Sequence, residues 1–456
     1  MTQVFSIILA AGQGTRMRSD LPKVLHPVAG KPMLQHVIDT CKKLTNDRLA
    51  VVYGHGGERV KQSIQEDGIV WVLQAEQKGT GHAVAQAIEL VPDELPVLIA
   101  YADTPLIRSE TLQQLVNSLE QAALAVLTTK LANPTGYGRI VRNEQGSILK
   151  IVEEKDADEP TRAIQEINTG FMVAKGADFK RWLKQLTPNN AQGEYYLTDC
   201  IGMAVAEQRE VKAVICADPL EAEGINNRVQ LARLERVAQQ RQVEALMLAG
   251  VTVADPARLD IRGQLKAGKD CFIDINVLFL GEVELGERVI IDANCVIQDA
   301  KIGDGVHIKA NTCIESAVVA ADCEVGPFAR LRPGTVLAEQ AKIGNFVETK
   351  KAKIGKGSKV SHLSYIGDTE MGQDVNIGAG TITCNYDGVN KFKTTIGDRV
   401  FVGSCTQLVA PVTIEEDATI GAGSTITKTA PAGQLTLARA KQMTVKGWQR
   451  PVKEQK

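Results

Sequence analysis

An α/β, Rossmann-like layered domain followed by an all-β parallel β-helix is the fold class this sequence predicts, on three observations. Up to about residue 225, short apolar runs alternate with amphipathic stretches. Residues 226–250 then change to a helical period. Beyond residue 270 an aliphatic residue returns at every sixth position. A chain of 456 residues is too long for one ordinary core, and these shifts divide it into 1–225, 226–250 and 251–456.

In the first part Phe5–Ala11, Leu49–Tyr53, Val70–Leu73, Val97–Tyr101 and Ala125–Thr129 have the composition of buried strands. Leu34–Leu44 and Gly81–Leu90 are helix-like segments between them, and the alternation predicts a largely parallel sheet. In the second part Leu231, Leu234, Val237, Val243, Leu246 and Leu248 share roughly one helical stripe, and Gly250 is a C-terminal stop. A connecting helix is expected there.

The third part repeats. Ile273, Phe279, Leu285, Ile291 and Ile297 are six apart. Slips of five reset the register to Ile302, Ile308, Ile314 and then to Val325, Leu331, Leu337, Ile343. The run resumes at Ile354, Val360, Ile366, Met371 and Ile377, and again from Ile396 through Val402, Leu408, Ile414 and Ile420 to Ile426. Such a period suits coils whose aliphatic residues stack inward on one another. The interruption between Ile377 and Ile396 contains Cys384-Asn385-Tyr386-Asp387-Gly388-Val389-Asn390-Lys391, an insertion expected to form a loop on a binding face.

Composition excludes several functions. Apolar residues make up 44% and charged residues 23%, with a formal net charge of −2, so neither a nucleic-acid nor a membrane surface is indicated. The segment Met1-Thr2-Gln3-Val4-Phe5-Ser6 has no basic run, and the apolar stretch after it is too short for a signal or membrane-spanning segment. Nine cysteines with no C-x-x-C pair argue against disulfides or zinc and for a reducing cytoplasm.

Candidate chemistry begins directly after the first strand, at Leu9-Ala10-Ala11-Gly12-Gln13-Gly14-Thr15-Arg16-Met17 and Leu21-Pro22-Lys23. A strand entering a glycine loop brings backbone N–H groups to a polyphosphate, and Arg16 and Lys23 add positive charge. Met17 stands where a dinucleotide fingerprint needs its third glycine, and the Walker spacing is absent. Asp103 ends a strand, where a ligand crevice is expected.

The first stretch resembles the L-x-x-G-x-G-T-x-M-x5-P-K signature of sugar-phosphate nucleotidylyltransferases. That resemblance implies that Leu9, Ala10, Ala11, Gly12 and Arg16 hold the phosphates of UTP, with Lys23 at the reacting end. The segment Gln74-Ala75-Glu76-Gln77-Lys78-Gly79-Thr80-Gly81-His82-Ala83 resembles the base-reading part, implying uracil recognition by Gln74, Gly79 and Thr80. It further implies that Tyr101 and Ala102 belong to the nucleotide-sugar site, that Asp103 and Asn226 coordinate Mg2+, and that Gly138, Glu153 and Asn168 contact the sugar. The reaction implied is in-line attack of a sugar 1-phosphate oxygen on the α-phosphorus of UTP, with pyrophosphate leaving and no covalent nucleophile.

In the third part Arg330 and Arg332 stand beside one coil, Asn345-Phe346-Val347-Glu348-Thr349-Lys350-Lys351 adds two lysines, and His362 lies two residues past a stacking position. Acyl transfer to an amine needs a base, and an unperturbed imidazole pKa of about 6.5 suits that task. Arg332 and Lys350 are suited to a phosphate.

The whole set is similar to the family of bifunctional N-acetylglucosamine-1-phosphate uridyltransferases and glucosamine-1-phosphate N-acetyltransferases, over essentially the full chain. This implies an acetyltransferase site in which Arg332, Lys350, Tyr365 and Asn376 bind glucosamine 1-phosphate and His362 is the general base. Ala379, Asn385, Tyr386, Ser404, Ala422 and Arg439 would line the acetyl-CoA site, and the basic tail (Lys441, Lys446, Arg450, Lys453, Lys456) would help cover the coenzyme. It also implies left-handed β-helices assembled as a homotrimer, a cytoplasmic location, and a product, UDP-N-acetylglucosamine, that feeds peptidoglycan and lipopolysaccharide synthesis. Two positions depart from the family pattern: Tyr101-Ala102-Asp103 replaces the usual Tyr-Gly-Asp, and Cys405 stands where Asp is common. A one-reaction nucleotidylyltransferase with a scaffolding β-helix, and a regulatory subunit with an inactive site, are the competing readings. The first leaves the grouping of His362, Tyr365, Arg332 and Lys350 without a role, and the second predicts loss of Arg16, Lys23 or Asp103.

Overall fold

The computed structural model describes residues 3–45, 48–54, 57–64 and 66–453. Met1, Thr2 and Lys456 of the segments discussed above lie outside the described residues. The chain divides into two compact units, Met1–Gln239 and Gln240–Lys456.

The first unit is built on a mixed sheet in the order Val211–Ile215, Leu124–Lys130, Glu166–Lys175, Pro96–Tyr101, Phe5–Ala10, Leu49–Tyr53, Ile69–Leu73. Strand Phe5–Ala10 is wholly buried and pairs in parallel with Leu49–Tyr53 on one side and Pro96–Tyr101 on the other. A chain that leaves the central strand for opposite neighbours opens a crevice at the strands' carboxyl ends, and both the glycine loop and Asp103 begin there. Glu166–Lys175 runs antiparallel to both its neighbours, Pro96–Tyr101 and Leu124–Lys130. Helices Met33–Thr45 and Thr80–Ala87 cover the sheet with their apolar stripes. Strand Ile69–Leu73 differs from the sequence expectation. It is an edge strand paired only to Leu49–Tyr53, so Val70 and Leu73 remain 44% and 49% exposed instead of buried.

Helix Arg228–Leu248 crosses the division between the units. Leu234 packs into the first unit and Val243 into the second, whereas Leu248 is 91% exposed and lies off the expected stripe. Gly250 follows in the left-handed region at φ 100°, where a side chain would be strained.

The second unit is a parallel β-helix whose coils have three faces. On one face Ile273, Ile291, Ile308, Val325, Ile343, Val360 and Ile377 are in register, 17 or 18 positions apart, so one coil takes three hexapeptides. These side chains are all buried, and filling such a stack contributes about 1.5–3 kcal/mol per large aliphatic. Coils of 17 instead of 18 residues account for the slips of five, and two gaps in the aliphatic series are polar: Thr349 and Thr383 occupy inward places between Leu331, Ile366 and Leu408. The insertion is therefore shorter than it looked, running from Asn385 to the strand Thr394–Ile396. Most corners carry a residue at positive φ; along one edge these are Asn276, Asn294, Asn311, Phe328, Phe346, Leu363, Gly380, Cys405 and Gly423. Asparagine and glycine take that conformation at little cost, and phenylalanine and leucine do not.

Candidate active sites

At the carboxyl ends of Phe5–Ala10 and Pro96–Tyr101 lies a cavity of about 340 Å³. Its wall contains Leu9, Ala10, Ala11, Gly12, Lys23, Gln74, Gly79, Thr80, Tyr101 and Asp103, ten of the residues expected in the nucleotide-sugar site. The glycine loop is shaped for close approach. Gly14 has φ 64°, and a Cβ there would stand 2.5 Å from Cβ of Lys23, so a larger residue would displace the lysine. Gly79, at φ 104°, is pressed against the Tyr195 carbonyl, where a Cβ would come within 2.7 Å. Gln74 is buried and donates from Nε2 to the Gly79 carbonyl (3.3 Å), with His82 Nδ1 at 3.0 Å. That leaves its amide carbonyl oxygen available for a base.

Four charged or polar groups meet at the mouth. Lys23 Nζ donates to Asp103 Oδ2 (2.5 Å) and to Asn226 Oδ1 (2.7 Å), and Arg16 Nη2 donates to the same Asn226 oxygen (2.9 Å). The sugar-side candidates form an adjoining group. Asn168 N donates to the Gly138 carbonyl (2.8 Å), and a Cβ on Gly138 would come within 3.3 Å of the Glu153 carboxylate. Burial pushes the Glu153 carboxyl above the usual range, reinforced by Asp156, Asp199 and Glu194, while Thr198 Oγ1 donates to it at 3.1 Å. Tyr101 links the two groups: burial raises its phenol pKa, and the charges of Glu153 and Asp103 both act on it.

Ala102 behaves differently from the expectation. It is 1% exposed and belongs to the core with Ile8, Ala10 and Leu98, because alternate residues of a strand face opposite sides. It is not among the residues that line the cavity with Tyr101 and Asp103. Ala102→Gly is expected to leave the KM for UTP within about a few-fold, since at most about 1 kcal/mol of packing is involved; initial-rate kinetics of pyrophosphate release check this. Gln77, Glu194, Val24 and Ala83 also line the cavity and were not singled out by sequence. Gln77 Nε2 donates to the Ala11 carbonyl and lies within the quoted base-reading segment; Glu194 had no such signal.

On the β-helix the candidates fall on neighbouring corners of the coils. Along one corner His362 follows Asn345 in register, and Ala379, Ser404 and Ala422 hold the corresponding place two residues after Ile377, Val402 and Ile420. His362 is exposed, with Nδ1 2.7 Å from Asn345 Oδ1. Arg439 Nη1 donates to the Ala422 carbonyl at 2.7 Å. On the next corner Arg332 and Lys350 follow the inward residues Leu331 and Thr349, and Arg332 Nη1 donates to Glu348 Oε1 at 2.7 Å. The Lys391 ammonium beside Lys350 holds that lysine below the usual range, so two cations of the insertion and the coil converge here. Asn385 donates from Nδ2 to Asp368 Oδ2 (2.5 Å), whereas Tyr386 is 58% exposed on the loop. Tyr365 lies on the face between the corners, paired with Glu348 and Ile382, and Asn376 pairs with Lys359 and Phe401 on the face before His362. The turn at Leu363 and the start of strand Tyr365–Met371 separate His362 from Gly367, which pairs with Lys350. Asn345, Asp368 and Lys391 were not assigned roles from sequence, although Asn345 lies one coil before His362 in the repeat.

Fold and sites together define a nucleotidyltransferase joined to a hexapeptide-repeat transferase. Residues 6–164 match the MobA-like NTP transferase domain, residues 258–361 the GMPPB C-terminal domain, and residues 393–428 the bacterial transferase hexapeptide of six repeats. The chain is 56% identical to the bifunctional protein GlmU of Marinobacter nauticus over 453 residues, covering 99% of this chain and 100% of that protein. A solved structure from Bacillus anthracis, assigned as a glucose-1-phosphate thymidylyltransferase in complex with a sucrose, is 19% identical. It covers 52% of this chain and 95% of its own, with a TM-score of 0.42. The chain belongs to the bifunctional GlmU family: it is an acetyltransferase and uridylyltransferase in one polypeptide, its second half a left-handed parallel β-helix. Among the described residues no helix is long and apolar enough to cross a membrane.

Proposed function

We propose that the chain acetylates glucosamine 1-phosphate with acetyl-CoA on the β-helix, then transfers uridylyl from UTP to N-acetylglucosamine 1-phosphate in the first unit. The observation that carries the second step is the convergence of Lys23, Asp103, Asn226 and Arg16 at the mouth of the cavity. The glycine loop and Arg16 would hold the triphosphate of UTP, and Gln74, Gly79 and Thr80 the uracil. Gly138, Glu153 and Asn168 would hold the sugar, with Lys23 facing the α-phosphate. Asp103 and Asn226 fit Mg2+, because a carboxylate and an amide oxygen already converge on one cationic atom. Among the described residues no set of three or more acidic, His or Cys side chains converges, so phosphate and water would complete the shell, as this cation prefers. When bound, magnesium offsets charge on the phosphates. Lys23 and Arg16 offset charge as pyrophosphate departs, and no covalent nucleophile is needed.

For acetyl transfer, His362 would take the ammonium proton while Asn345 fixes its ring. Arg332, Lys350, Tyr365 and Asn376 would hold the amino-sugar phosphate. Ala379, Ser404 and Ala422 offer small residues along one corner for the pantetheine arm, with Asn385, Tyr386 and Arg439 beside it. A homotrimer accords with the exposed Phe328, Phe346 and Leu363, held at positive φ on the His362 corner and with the two phenylalanine rings stacked at 5.3 Å. Bulky residues kept in that conformation at a cost on the order of 1 kcal/mol each suit a covered surface. A cytoplasmic location accords with nine free cysteines.

The test mixes the full chain with acetyl-CoA and glucosamine 1-phosphate, without UTP, and follows free thiol. Release that depends on the amino sugar supports the reading. No release, with pyrophosphate still formed from UTP and N-acetylglucosamine 1-phosphate, reduces the β-helix to a scaffold.

A further inference from the structure

We infer that two buried hydroxyls, Thr349 and Thr383, are positioning residues of the acetyl-transfer site; this rests on the assignment of that site to the β-helix. One face of the coils stacks Phe279, Ile297, Ile314 and Leu331 inward, and Ile366, Leu408 and Ile426 farther along. Thr349 and Thr383 interrupt this otherwise apolar stack, at 0% and 1% exposure. A hydroxyl in an apolar stack is unfavourable unless it is hydrogen-bonded, and both are. Each lies under the corner that carries Arg332, Lys350 and Asp368.

Thr383 has the stronger effect on geometry. The coil ladder runs in register at Tyr365 with Ile382 and resumes only at Thr369 with Thr394, where the insertion returns. In the gap, Gly367 N–H donates to Thr383 Oγ1 at 2.7 Å, and the hydroxyl is 3.2 Å from the Gly367 carbonyl. A side chain thus replaces the missing backbone acceptor. Gly367 is confined: a Cβ there would meet Tyr365 Oη at 2.4 Å and Asn385 Nδ2 at 2.8 Å. The next residue, Asp368, has φ 47° and accepts from Asn385. The chain of contacts therefore runs from the buried hydroxyl through Gly367 and Asp368 to the insertion loop. Thr349 acts on the other side of the corner, its hydroxyl 3.0 Å from that of Thr335, which donates to the Arg332 carbonyl at 2.8 Å.

The decisive variant is Thr383→Val, which has the same branched shape as threonine and so keeps the inward place filled while removing the hydroxyl. Loss of the hydroxyl leaves Gly367 N–H without its acceptor and frees the turn that holds Asn385. The KM for acetyl-CoA is expected to rise about tenfold in the full chain, with at most a modest fall in the thermal midpoint and uridylyl transfer by the same preparation serving as control. Thr383→Ser, which keeps the hydroxyl, is expected to recover most of the wild-type KM. A KM within twofold of wild type for Thr383→Val, or a Thr383→Ser no better than Thr383→Val, overturns the inference. A fall in kcat at unchanged KM with a lowered thermal midpoint also overturns it, since that is the signature of packing alone. Absence of acetyl transfer from the wild-type chain itself overturns the site assignment instead.

Discussion

Replacing His362 with alanine is expected to lower acetyl transfer by about a hundredfold or more while uridylyl transfer survives. The amino group of glucosamine 1-phosphate is an ammonium in water and attacks a thioester only after losing a proton. His362 is exposed at a coil corner, so it is accessible to a substrate. Nδ1 lies 2.7 Å from the Asn345 amide oxygen, an acceptor, so in the neutral ring a proton on Nδ1 leaves Nε2 as the accepting atom. The substitution removes a solvent-facing ring and leaves the inward stack through Val360 untouched, so folding is expected to persist. Thiol release at saturating substrates measures the loss, and unchanged acetyl transfer would mean that another group takes the proton.

The second large effect is expected from Asp103→Ala, which should lower uridylyl transfer by about a thousandfold, or about 4 kcal/mol, with acetyl transfer retained. Asp103 is the carboxylate at the end of Pro96–Tyr101 that reaches the meeting point of Lys23 and Asn226. Its removal takes the one anionic oxygen from the proposed magnesium position. It also leaves Lys23, whose side chain is 11% exposed, with only the neutral Asn226 as acceptor. Both losses would act where Lys23 is proposed to face the α-phosphate. Pyrophosphate release across a magnesium titration reads the effect. If more than about a tenth of the activity remained at every magnesium concentration, Asp103 would not be the metal ligand.

The two sites differ in how far the chain alone disclosed them. Glycine spacing and the cations of the first loop were legible because only small residues allow a backbone to approach phosphate closely. Ala102, which the resemblance put in the nucleotide-sugar site, is buried in the core. Glu194, by contrast, joins the cavity wall through tertiary packing, with no local pattern to mark it. On the β-helix, searching for aliphatic residues passed over Thr349 and Thr383, because a polar residue at an inward place gives no hydrophobic signal.

The sequence by itself determined the repeat, since every coil must bury the same positions on its neighbours, and it determined the glycine loop that begins the first site. Tertiary structure alone decided that Lys23 meets an oxygen 203 residues away on Asn226, and that His362 shares its corner with Ala379, Ser404 and Ala422. The physical reason is range. Periodicity and turn chemistry act over a few residues, whereas the convergence of charges depends on strand order and coil register, which the whole buried core fixes together.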